Sequence, residues 1–214
     1  MLKALLVLTA GLGLAIGSHA RAQDNWVAGK NYFLIEPPQA TTTGDKVEVV
    51  EVFSYACAHC NEVAPMVADL KKRLPANAEF VLLPAQFGFE AWKVFAKGFY
   101  TAQALGLVEK THADLFRTIY VDRKIDIRSP TFASLAEFYS KYGVSAADFT
   151  ATSESFAIKA KLKRNEELIK AYGADGTPTF IVNGKFRFSG QSAGGYEKIE
   201  PLVHYLIDKE AKGG

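Results

Sequence analysis

Cysteine is nearly absent from these 214 residues, with two in all, Cys57 and Cys60. A framework of structural disulfides is therefore excluded, because one pair closes at most one bridge. As a staple that bridge would be poor. Closing a four-residue ring contributes about 2 kcal/mol, against about 4.7 kcal/mol for a hundred-residue loop. Histidine is scarce as well. His112 and His204 have no ligand spacing near the cysteines, so the C-x-x-C is only half of a zinc site, and Asn61 stands where c-type haem attachment needs histidine. No metal and no cofactor is expected. An excess of either charge is also missing: 25 Lys and Arg face 23 Asp and Glu, and Lys3 and Arg21, both at the N-terminus, supply the difference. Nucleic acid or an anionic surface as the main partner is thereby excluded, since such binding rests on clustered basic charge. The one basic run, Lys159, Lys161, Lys163 and Arg164, is followed by Glu166 and Glu167 and reads as a solvated helix face.

Long apolar runs are lacking too. The longest, Leu5 to Ile16, falls short of the ~18 to 20 residues that cross a bilayer. It follows the positive start Met1-Leu2-Lys3 and precedes Ala20-Arg21-Ala22, a small-x-small cleavage pattern after Ala20 or Ala22, so residues 1–22 read as an export signal. An uncleaved anchor of the same residues is the alternative. In both cases the folded part lies outside the cytoplasm, where disulfides persist.

The rest is long enough for one large domain, or a domain with a sizeable insertion, with its own core. Tyr32 to Ile35 reads as a short edge strand ended by Pro37-Pro38. Val47 to Phe53 is nearly continuous in Val and aromatic residues, as in a strand buried on both faces, and Glu51 interrupts it. Val63, Val67, Leu70 and Leu74 recur at helical spacing from about Ala58 until Pro75 stops the helix, with Pro65 inside it. Glu79 to Pro84 is the next strand. From about Phe89 to Lys170 the period is helical, with Trp92, Phe95, Phe99 and Ala102 on one face and Phe132, Leu135, Phe138 and Tyr139 on another. Breaks are expected near Gly106, Ser129-Pro130 and Gly143 to Ala146. Strands return at Thr179 to Val182 and Lys185 to Phe188, joined by the two-residue hairpin signal Asn183-Gly184, and a helix over about Gly195 to Lys209 closes the chain.

The two cysteines sit in the run Phe53-Ser54-Tyr55-Ala56-Cys57-Ala58-His59-Cys60, at the start of the first helix. Only a thiolate attacks, and a helix start favours one through its unpaired N–H groups and the positive end of its dipole. Cys57 is the candidate nucleophile and Cys60, one turn further in, its buried partner. His59 adds a positive charge or donor beside the first sulfur. Stabilising the thiolate stabilises the reduced form and makes the disulfide a strong oxidant. Glu51, an acid in an apolar strand, is costly to bury without partners, so its pKa rises and it is placed to move a proton to or from Cys60. The other reading points it outward with no role. Thr177-Pro178, after Gly176 and before a strand, fits two readings equally: a cis bond presenting the Thr177 backbone to an extended peptide, and an ordinary turn proline.

These residues resemble the thioredoxin superfamily and, within it, the DsbA family of periplasmic thiol:disulfide oxidoreductases. The motifs that carry the resemblance span almost the whole chain after residue 22: Gly29-Lys30-x-Tyr32, Glu51-x-Phe53-Ser54 leading into Cys57-x-His59-Cys60, and Gly176-x-Pro178 followed by Val182-Asn183-Gly184-Lys185. The resemblance implies an α/β thioredoxin fold with an inserted all-helical domain, its first part at 23–88, the insertion at 89–153 and its second part at 154–214. It further implies Cys57 as nucleophile, Cys60 as buried partner, Glu51 as buried acid and Thr177-Pro178 as the cis-proline loop. Members of the family usually carry Pro-His between the cysteines. Here Ala58-His59 keeps the histidine, and loss of the proline frees a donor and relaxes the backbone.

The function expected is a periplasmic dithiol oxidase that passes its Cys57–Cys60 disulfide to reduced, newly exported proteins and is regenerated by a membrane quinone-linked partner resembling DsbB, working as a monomer. A disulfide isomerase or reductase is the runner-up, but isomerases of the DsbC type add a dimerisation domain for which Gln23 to Lys46 is too short. A metal-delivery protein and a peptide-binding chaperone with incidental cysteines are the readings from other classes.

Overall fold

The computed structural model describes residues 25–212; the export signal expected at 1–22 lies outside them. A five-stranded mixed sheet is formed by β1 (Phe33–Leu34), β2 (Val47–Phe53), β3 (Ala78–Pro84), β4 (Thr179–Val182) and β5 (Phe186–Ser189), in the order β1-β5-β4-β2-β3. Only β2 and β3 run parallel. The crossover a parallel pair requires is α1 (Ala58–Arg73). Between β3 and β4 come α2 (Glu90–Ala104), α3 (Val108–Tyr120), α4 (Phe132–Ser140), α5 (Ala146–Ser153) and α6 (Phe156–Ala171), and after β5 come α7 (Gly190–Ala193) and α8 (Ile199–Ala211). Among the described residues no helix is long and apolar enough to cross a membrane.

Strand β2 reads as continuously apolar because it is covered on both sides. Val49 and Phe53 pack beneath α1 with residues of α8 and of the helical layer, whereas Val50 and Val52 pack on Ile169 and Tyr172 at the end of α6. Glu51 alternates with Val50 and Val52 and so shares the α1 face. Helix α1 lays Cys60, Val63, Val67 and Leu70 on the sheet. Pro75 drives Leu74 into extended backbone (ψ 140°), which ends the helix, and Lys71, Lys72 and Arg73 oppose the negative end of its dipole.

Three connections depart from the sequence expectations. Residues 121–131 form one long loop rather than a break confined to Ser129-Pro130. A further break separates α5 from α6, where the Ser155 hydroxyl accepts the Ile158 N–H at 3.4 Å; Thr131 and Ser145 cap α4 and α5 in the same way, each at 3.0 Å. The helix expected over about Gly195 to Lys209 begins as a 3₁₀ turn at Tyr196–Lys198 and continues as α8, and the short helix α7 precedes it.

The β4–β5 hairpin turns through three residues, 183 to 185, rather than two, because Val182 pairs with Phe186. Asn183 and Gly184 both hold positive φ (53° and 66°), and the Lys185 N–H closes the turn on the Val182 carbonyl at 3.0 Å. A Cβ at Gly184 would overlap the Gln39 carbonyl, while the Gln39 N–H donates to the Gly184 carbonyl at 2.9 Å. Gly184→Ala is therefore expected to lower stability by roughly 1–3 kcal/mol, read as a shift in the urea midpoint at unchanged slope.

Candidate active site

The chain leaves β2 at Phe53 and turns sharply into α1. The Ser54 carbonyl accepts the Cys57 N–H at 3.0 Å, the Ser54 hydroxyl accepts the Ala56 N–H at 3.1 Å, and the Cys57 carbonyl accepts the Asn61 N–H at 3.2 Å, the first bond of the helix. Cys57 is thus the N-cap residue, with extended backbone at φ −94° and ψ 116°. Its sulfur occupies the place a capping oxygen would take, among N–H groups with no partner in the helix. Both cysteines are thiols, Cys57 8% exposed and Cys60 1%, and the Cys57 thiol donates to the Thr177 carbonyl at 3.4 Å.

This setting separates the two thiols. A hydrogen bond from the Cys60 thiol is the largest influence on Cys57; with the Thr177 side chain and the main-chain N–H groups of Cys60 and His59 it outweighs burial and brings the pKa down to about 5. Cys60 moves the other way, far above the ordinary thiol range, through burial first, then its bond to Cys57 and the charge of Glu51. Glu51 is 3% exposed. It sits between Leu82 of β3 and Phe180 of β4, and no described residue hydrogen-bonds its carboxyl group. Burial foremost, then the negative charge of Cys57, raise its pKa to about 8.

The structure therefore brings together Cys57, Cys60, Glu51, Thr177 and Pro178, and the Thr177–Pro178 bond is cis. The loop is held by the Thr179 hydroxyl, which donates to the Gly176 carbonyl at 2.7 Å. His59 stands apart: its side chain is exposed, and its contribution to Cys57 comes from its main-chain N–H. Four tyrosine or histidine side chains that sequence reasoning did not place also belong here. Tyr55 lies behind the dithiol and its hydroxyl meets His112 Nδ1 at 2.8 Å. Tyr120 and Tyr196 feel the charge of both sulfurs, which, after burial, helps to raise their pKa values. His112, Phe116 and Tyr120 form an i, i+4, i+8 stripe on α3, a pattern open to sequence reading. Among the described residues no cluster of His, Cys, Asp and Glu is placed to hold a metal.

Comparison with known proteins agrees with this geometry. The DSBA-like thioredoxin domain family matches residues 48–199. The thiol:disulfide interchange protein DsbA of Pseudomonas aeruginosa is 39% identical over 207 residues, covering 96% of each chain, and the DsbA of Pseudomonas syringae pv. tomato is 37% identical over 96% of this chain and 95% of its own. The crystal structure of Pseudomonas aeruginosa DsbA superposes with a TM-score of 0.81 at 37% identity, over 88% of this chain and 96% of that one. The sheet order, the helices between β3 and β4 and the dithiol at the head of α1 are those of a thioredoxin fold with a helical insertion, and the chain belongs to the DsbA family of thiol:disulfide oxidoreductases.

Proposed function

We propose that the protein is an oxidant of exported chains, working in the periplasm after loss of residues 1–22. One observation carries the direction of electron flow: the Cys57 sulfur sits at the N-cap of α1, where the Cys60 thiol and the surrounding N–H groups favour its thiolate and bring its pKa down to about 5. Stabilising the reduced enzyme in this way draws electrons from clients. A client thiolate attacks the Cys57 sulfur of the oxidised enzyme, the Cys57–Cys60 bond breaks, and Cys60 leaves with the electron pair and takes a proton from Glu51. A second client thiolate then attacks the client sulfur of the mixed disulfide, and Cys57 leaves as a thiolate. Two electrons have entered the enzyme and one disulfide has formed in the client. A membrane quinone-linked partner resembling DsbB removes those electrons.

In this reading Thr177-Pro178 docks the extended client beside Cys57, and His59 assists through its N–H and, as an exposed imidazole, through the approach of client thiolates. Residues 23–88 and 154–214 form the thioredoxin-like part of a monomer, and 89–153 the inserted helical domain. The test is equilibration of the dithiol against glutathione at pH 7, with alkylation and mass measurement of the reduced fraction. The protein is expected to stay reduced in mixtures that leave ordinary structural disulfides oxidised, and its oxidised form to oxidise a dicysteine peptide faster than the buffer alone. An equilibrium lying with the disulfide under those conditions would mark a reductant and overturn the reading.

A further inference from the structure

Glu51 has to exchange a proton with water in each cycle of the proposed reaction, yet the sheet offers it no polar route. Its ladder neighbours Leu82 and Phe180 are apolar, and α1 roofs its face with Cys60, Val63 and Val67. The opening on that side lies beyond Leu82. It is a cavity of 460 Å³ between α1, β3 and α3, walled by Ala64, Val67, Phe80, Leu82, Val108 and His112, with Lys71, Lys72 and Glu109 at its rim.

His112 is the polar group set into that apolar wall, and it is firmly held. Its Nδ1 lies 2.8 Å from the Tyr55 hydroxyl, which leaves Nε2 as the nitrogen available to the cavity. Its ring stands edge-on to Phe53 and Phe116, each centroid at 5.2 Å. Tyr55 packs on the same two rings at 5.2 and 4.9 Å, precedes Cys57 by two residues, and is 1% exposed. Phe53 is two residues from Glu51 on the same face of β2, so the ring that Tyr55 and His112 share belongs to the strand face that carries the acid. We infer that Tyr55 and His112 form the proton gate of the dithiol, linking Glu51 to water in this cavity; the inference rests on the acid role proposed for Glu51.

When the enzyme is reoxidised, Cys57 first forms a mixed disulfide with the oxidising disulfide; the Cys60 thiol then gives its proton to the Glu51 carboxylate, and the freed thiolate attacks the Cys57 sulfur and expels the oxidant's thiolate. The proton on Glu51 then leaves through a bridging water, the Tyr55 hydroxyl and His112 to the cavity, and in client oxidation it enters by the same path. A neutral imidazole suits this role because it accepts at one nitrogen while donating at the other. Burial and the Lys71 charge on α1, partly offset by Glu109 on α3, keep His112 neutral at pH 7, with its pKa lowered to about 4. The charge of Glu51 is felt by Cys60 and Tyr55 and that of Cys57 by Glu51, and the Tyr55 hydroxyl also has Tyr139 as a neighbour.

The test follows the reduced protein mixed with glutathione disulfide, quenched with acid and resolved by mass. Cys57 attacks and expels one glutathione thiolate; Cys60, once deprotonated, resolves the adduct and expels the second. Tyr55→Phe and His112→Phe, which keep the ring packing, are expected to slow resolution about tenfold between pH 6 and 8, a modest share of general acid–base catalysis, so that the Cys57 adduct accumulates. Glu51→Gln/His112→Phe is expected to be no slower than Glu51→Gln, and added imidazole to restore resolution in His112→Ala. Melting curves establish that each variant is folded, and rescue by imidazole separates proton transfer from a packing role. If Glu51→Gln resolves the adduct at the wild-type rate, the acid role itself falls. If Glu51→Gln is slow but Tyr55→Phe and His112→Phe resolve like wild type, or the double variant multiplies the two losses, the gate is overturned and the acid role stands.

Discussion

Cys57→Ser is expected to abolish disulfide donation, leaving only the buffer background, because the variant can neither form the catalytic disulfide nor attack as a thiolate. Cys60→Ala is the more informative partner. It also removes the disulfide but keeps the nucleophile, and it deletes the hydrogen bond that is the largest influence lowering the Cys57 pKa. Titration of the Cys57 thiolate by its ultraviolet absorbance should give a midpoint near 5 in the reduced wild-type protein and a clearly higher one in Cys60→Ala. An ordinary thiol with pKa about 8.5 is only about 3% ionised at pH 7, so complete loss of activation would lower the thiolate fraction at that pH about thirtyfold. The amides at the helix start remain in Cys60→Ala, so a smaller loss is expected. An unchanged midpoint would remove the buried thiol from the account of activation.

The reduced wild-type protein is expected to show nearly constant stability between about pH 6.5 and 8, as the sum of two opposed slopes; below that window His112, which takes its proton near pH 6.5 when unfolded but near 4 when folded, adds a rise with pH. Cys57 ionises near pH 5 when folded and near the ordinary thiol value of about 8.5 when unfolded, so the unfolded chain holds the extra proton. Its contribution is full above the unfolded value and disappears as pH falls through 5. Glu51 does the reverse: the native state keeps its proton up to about pH 8, whereas the unfolded chain releases it near about 4.3. Its contribution is therefore lost as pH rises across the same window. Each slope is at most about 1.4 kcal/mol per pH unit, with opposite sign. Glu51→Gln should uncover a stability that rises with pH. Cys57→Ser should uncover one that falls, with its upper limit drawn below pH 8 because the Cys57 charge helps to raise Glu51. Urea midpoints of the reduced proteins at steps across this range decide it, and parallel profiles in all three would contradict the assignment of the two protons. The oxidised enzyme, which lacks the Cys57 titration, should follow Cys57→Ser.

Strand β2 and helix α1 were legible almost residue for residue, because a doubly buried strand and a helix bounded by a turn and Pro75 leave strong local patterns. So was the position of the dithiol, since C-x-x-C at a helix start is a local feature. Glu51 announced itself as a single acid in an apolar strand. The environment of the sulfurs was much less legible. The Thr177 carbonyl reaches Cys57 across 120 positions of chain, and His112 meets Tyr55 across 57; no local pattern encodes such pairings. In the sequence His112 is only a histidine without ligand spacing, and the stripe it begins on α3 belongs in large part to the core. His59 is the reverse case: in the sequence its ring is the conspicuous group between the cysteines, while in the structure that ring is exposed and its peptide N–H is what acts on the sulfur. The α5–α6 break leaves no mark in the apolar pattern, because Ser155 caps a helix inside a stretch whose apolar spacing continues on both sides.

Phe53, Tyr55, Cys57 and Cys60 belong to one apolar cluster with Phe95, Phe99, Phe116 and Tyr139 of the helical layer. The rings that wall the sulfurs are therefore the same rings that fasten two structural halves together. A redox centre of this kind does not sit on a scaffold as a detachable loop. Grafting Cys-Ala-His-Cys onto the head of another helix would transfer the amides without the aromatic bulkhead behind them.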